Sequence, residues 1–97
     1  MFLLGTDEGW QLKEPADFKR FKIVLKGVSA TSVPNLKSLQ FDGDQHAWMD
    51  PSIILEMAGP VADAEWRMEF DRMLDFAIRH GWTNPEGWLR GHVEIVK

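Results

Sequence analysis

His92 and Glu94 stand two residues apart, and Arg90 two before them, the spacing that puts all three side chains on one face of a strand. An imidazole beside a carboxylate could act as a general base or as half of a metal site, with the guanidinium holding an anionic substrate. The same alternation is what the polar outer face of a half-buried antiparallel strand shows, and this simpler account is preferred. Asp42, Asp44 and His46 form the densest run of metal-ligand types in the chain. Asp42-Gly43-Asp44 is nevertheless ordinary tight-turn chemistry, and no Glu follows at the twelfth position of a calcium loop.

The remaining candidates have simpler explanations. His80 directly precedes Gly81 at a helix end, where an imidazole meets the last carbonyls and the negative end of the helix dipole. Ser29, Ser32, Ser38 and Ser52 lack the G-x-S-x-G context of an activated nucleophile. The eight glycines are scattered singly, without the spacing of a phosphate loop. Lys19, Arg20, Lys22 and Lys26 interleave with Phe18 and Phe21, a mix that can bind single-stranded nucleic acid. On a strand, however, Phe21 turns inward while Lys22 and Lys26 turn to water, and the lysines then serve as solvating or edge-protecting charges. The sequence thus assigns no catalytic residue, no metal site and no cofactor.

Composition narrows the class further. The net charge of −4 argues against nucleic-acid binding, which depends on many cationic contacts. That charge is unevenly placed: residues 1–40 hold six Lys/Arg against four Asp/Glu, and residues 41–97 five against eleven. Without cysteine there is no disulfide framework or thiolate site. The apolar start at Met1–Leu4 is too short for a signal peptide, and no run approaches a membrane span, so a soluble, cytoplasmic protein is expected.

The aromatic load is harder to explain away. Five Trp and six Phe occur with no Tyr. Each ring buries roughly 150–250 Å² when enclosed, and one small core cannot easily enclose all of them. Trp66, Phe70, Phe21 and Phe41 take core positions by periodicity, and Trp82 a helix-end role. Trp10 and Trp88, and Trp48 in one hairpin register, have no such place and are expected at the surface, where tryptophans mark contact sites.

These residues need elements to position them. Trp66, Phe70, Met73, Leu74, Ala77 and Ile78 fall on one stripe, which predicts a helix from about Ala64 to His80, with Asp63 as N-cap and Gly81 closing a Schellman ending that folds Trp82 back. A shorter helix is expected over 51–58, between Asp50-Pro51 and Gly59-Pro60. Asn84-Pro85-Glu86-Gly87 predicts a type I turn leading into a strand over 88–96. Leu36–Phe41 and Gln45–Met49 predict a hairpin whose loop, two residues or three, decides whether His46 and Trp48 face the core. Phe21–Gly27 alternates like a strand, although Phe18, Phe21, Leu25 and Val28 also fit a helical stripe.

The expected architecture is one α+β domain over residues 1–97: a three- to four-stranded, mainly antiparallel sheet with the long and the short helix on one face. A ferredoxin-like βαββαβ order is the alternative. The expected function is a non-catalytic binding or protein-interaction module, whose partner is another protein or a second copy in a homodimer. Its contact face would carry Trp88, Arg90 and His92, with Trp10. The alternative is a small enzyme or small-molecule-binding protein with an aromatic-lined cleft and an acid–base pair from His92 and Glu94 or from His46.

Overall fold

Alternation of side chains builds most of the molecule, which is described over all of residues 1–97 by a computed structural model. Six strands form in chain order: β1 (Phe2–Thr6), β2 (Gly9–Lys13), β3 (Lys22–Lys26), β4 (Leu39–Asp42), β5 (His46–Met49) and β6 (Leu89–Val96). Two helices, α1 (Ser52–Ala58) and α2 (Ala64–Arg79), lie between β5 and β6, joined by a 3-10 turn at Gly59–Val61. All six strands share one sheet in the order β2-β1-β3-β6-β5-β4.

The expected three- to four-stranded, mainly antiparallel sheet is corrected by this arrangement, as is the ferredoxin-like alternative. The sheet is mixed, six-stranded and curled into a half-barrel. β1 pairs with β3, and β3 with β6, in parallel; the other three pairings are antiparallel. Two physical reasons account for the difference. First, Phe2–Thr6 and Gly9–Lys13 close as a hairpin around Asp7 and Glu8, so the N-terminal segment supplies two strands. Second, parallel neighbours are joined by no turn, and nothing local in a sequence announces them. Here β2 carries the chain back to the end where β1 begins, which lets β3 run beside β1 after a short loop.

The core lies on the concave side. Leu3, Ile23 and Val93 align across β1, β3 and β6, and Met49 pairs with Leu89 on β5 and β6. Against them pack Ile54 and Ala58 of α1 and Trp66, Phe70 and Ala77 of α2. β3 is buried at Ile23, Val24 and Leu25 because it is a central strand with neighbours on both edges.

Local expectations about the helices and turns are met in outline, although Ile78 of the expected apolar stripe is 60% exposed and α1 begins at Ser52, after Pro51. The Asp63 carboxylate accepts the Trp66 backbone N–H at 2.8 Å and caps α2. At the other end, Trp82 N–H donates to Ala77 O and Gly81 N–H to Ile78 O, the two bonds of a Schellman ending, with Gly81 at φ 71. Gly87 N–H donates to Asn84 O and closes the turn before β6. The β4–β5 hairpin pairs Asp42 with His46, so its loop has three residues, and Ala47 and Met49 face the core. The Phe21–Gly27 segment is strand.

Two contacts fix the packing at specific points. A Cβ on Gly5 would sit 2.9 Å from the Trp10 ring and from Val33 Cγ2, and that ring is tethered by its N–H to Pro34 O at 2.8 Å. Gly5→Ala is therefore expected to destabilise the fold by about 1–3 kcal/mol through overpacking, read from urea denaturation; unchanged stability would mean that the indole is free to move. The buried Trp66 donates its indole N–H to Pro15 O at 2.8 Å. Trp66→Phe keeps a ring but leaves that carbonyl without its donor, and should cost about 1–3 kcal/mol by the same measurement.

Candidate binding site

The convex face of the sheet carries most of the residues singled out by sequence. Register places Phe2, Lys22, His92, His46 and Asp42 in one row across β1, β3, β6, β5 and β4. Arg90 and Trp48 are direct neighbours in the adjacent row. The three-residue hairpin loop thus decides the matter that alternation left open: His46 and Trp48 point away from the core. The rings of His46 and His92 meet edge to face at 5.7 Å.

Glu94 does not join this imidazole pair as a base. Its carboxylate accepts a hydrogen bond from Lys22 Nζ at 2.8 Å. That bond, followed by the charge of Lys22 and with a smaller contribution from His92, holds the carboxyl below its ordinary value of 4.5 against a slight desolvation. No three His, Asp or Glu side chains converge as a metal-holding group; Asp42 and His46 pair at the end of the β4–β5 hairpin, with Asp44 in its loop. The convex face is therefore an open, charged surface on which the titratable groups are already engaged or solvated.

The remaining two tryptophans lie elsewhere. Trp10 is on the concave face of β2, opposite the face expected for it, half-buried and tied to Pro34. Trp88 precedes β6 and is half-buried, its backbone N–H bonded to Asn84 Oδ1 at 2.8 Å.

The most exposed aromatic surface is at the C-terminal end of α2. Trp82 and Phe76 are 46% and 52% exposed, the largest values among the aromatic residues of the chain. Phe76 stacks on His80 at 4.0 Å, and Trp82 lies 5.0 Å from His80 and 5.7 Å from Phe76. His80 is oriented by a 2.9 Å contact from Nδ1 to Phe76 O, so the helix ending itself assembles the cluster. Phe76 and Trp82 also form walls of a cavity of about 130 Å³, together with Phe18, Phe21 and Met73. Arg90 is the one member of the expected convex contact face that borders this cavity, and Phe18, Lys19, Arg20 and Phe21, the cation–aromatic mix noted in the sequence, border it as well.

Sequence reasoning grouped Phe18, Lys19, Arg20 and Phe21 as a nucleic-acid mix and set it aside, missed that they meet Phe76, and gave Trp82 and His80 only helix-ending roles. A signal was present: Phe76 and His80 are spaced i, i+4 with Trp82 just beyond the Schellman glycine, which stacks three rings on one side of a helix end. The chain has no significant match among protein-family profiles, curated proteins or solved structures.

The Lys22–Glu94 pair sets a pH dependence of known sign. Because the folded carboxyl lies below 4.5, the pair's contribution is present above that pH and is lost as pH falls through the folded midpoint. Lys22→Met should move the Glu94 midpoint up toward 4.5, followed by NMR of the side-chain carboxyl. A midpoint that stays where it was would show that Lys22 does not hold it.

Proposed function

We propose that this chain is a non-catalytic binding module whose contact surface is the ridge of Phe76, His80 and Trp82 and the cavity behind it. The supporting observation is the half-exposure of two large rings that the fold holds in a fixed stack. Burying such rings against a partner returns much of their exposed area to an apolar environment at little cost in side-chain freedom. This moves the expected contact surface from the convex sheet face to the end of α2.

An enzymatic reading has one observation in its favour, the meeting of His46 and His92. Against it stand the exposure of His92 and the engagement of Glu94 by Lys22. General acid–base work needs a base within reach of a bound substrate and some exclusion of water. The imidazole pair sits instead on an open convex surface, so the binding reading is preferred.

A set of small organic fragments, mapped by backbone amide shifts, should cluster its effects at Met73, Phe76 and Trp82. Effects centred on His46 and His92 would return the reading to the sheet face, and effects nowhere would remove it. Sedimentation over a range of concentrations tests a second copy as the occupant. A mass that rises with concentration in the wild type and not in Phe76→Asp would place a homodimer contact on the ridge.

A further inference from the structure

The cavity beside α2 has an apolar wall and a cationic border. Lys19, Arg20 and Arg90 border it, and no Asp or Glu does. None of these three cations takes part in any ion pair of the protein. Their charge is therefore open to a bound anion. An adjoining groove shares Phe18, Lys19, Met73 and Phe76, and its one carboxylate, Glu69, is already held by Arg72 at 2.6 Å.

Size and rigidity narrow the occupant. A dry cavity of about 150 Å³ is enough for one benzene ring, and this one measures about 130 Å³. The loop between β2 and β3, which carries two of the cations, is held in place before any ligand arrives. Trp66 binds Pro15 O, the Phe18 ring meets Trp66 edge to face at 5.5 Å, and Lys19 N–H donates to the Asp17 carboxylate at 3.1 Å. A preset loop loses little freedom on binding.

We infer that this cavity binds a small organic anion: a single ring-sized apolar group enclosed by Phe18, Phe21, Met73, Phe76 and Trp82, bearing a carboxylate that meets Lys19 and Arg20 of the loop at its border. The apolar walls supply contact area. The Arg20 guanidinium, able to present two N–H donors to one carboxylate, and the Lys19 ammonium supply selection for charge. The inference rests on the binding reading above and adds the chemistry of the ligand.

The test compares phenylacetate with its neutral isostere phenylacetamide and with acetate, using the Trp82 indole resonance assigned from Trp82→Phe. Phenylacetate should give a saturable shift of that resonance, phenylacetamide should bind about tenfold more weakly or worse, and acetate should have no effect. In the double variant Lys19→Gln, Arg20→Gln, both at exposed positions, the two aromatic probes should bind alike while amide dispersion remains native. Equal affinity of the two for the wild type, both at Trp82, would overturn the anion and leave the binding module standing. If neither probe moves the Trp82 resonance, the anion inference falls, while the ridge is still decided by the fragment and sedimentation experiments.

Discussion

One indole ties the two halves of the molecule together. Trp66 lies in the first turn of α2, buried, with its ring stacked on Phe70 at 5.0 Å and met by Phe18 at 5.5 Å, while its N–H reaches Pro15 O. Pro15 and Phe18 belong to the loop that joins β2 to β3, and that loop also carries Lys19 and Arg20. A ring with one polar handle can satisfy a loop carbonyl inside an otherwise apolar contact, which a Phe could not do. The position of the loop along α2 therefore follows from Trp66, while Phe70 and Ala77 join it in seating α2 on the core. The cavity lies further along the same seam, between that loop and the last turns of the helix.

The sheet makes this seam available. β3 is the strand around which it is organised, since it has parallel neighbours on both edges and its three middle residues are buried. Curling of the sheet gives a concave side deep enough for both helices and leaves the convex side open. On the convex side Lys22 and Glu94 pair across β3 and β6, and His46 and His92 across β5 and β6. Such cross-strand pairs stabilise a sheet modestly and keep its open face wet. Their arrangement is explained by the register without assigning them chemistry.

The surplus of aromatic surface is handled unevenly. Trp66 and Phe70 are enclosed, whereas Trp10, Trp48 and Trp88 are half-buried, and Trp82 with Phe76 stands out at a helix end. A six-stranded sheet with two helices encloses more ring surface than a smaller sheet would, yet not all of it. The two most exposed rings, Phe76 and Trp82, stand together at one helix end, beside the cavity bordered by Lys19 and Arg20.

Much of the local structure was legible in the residues themselves. The apolar stripe of α2, its Asp63 cap and Gly81 ending, the turn at Asn84–Gly87 and the alternation in β3 and β6 each depend on contacts between residues close in the chain. The N-terminal hairpin was legible in principle, with Leu3 and Gly5 set against Trp10 and Leu12, and was obscured by the shortness of its Asp7-Glu8 loop. The outward facing of His46 and Trp48 turned on one residue of loop length, which composition alone does not decide. The pairing of β1 with β3 and of β3 with β6, and the meeting of Lys19, Arg20, Trp82 and Arg90 around one cavity, belong to tertiary structure alone. They join segments far apart in the chain through parallel ladders and side-chain packing, whose energies depend on which surfaces are left to cover once the local elements have formed.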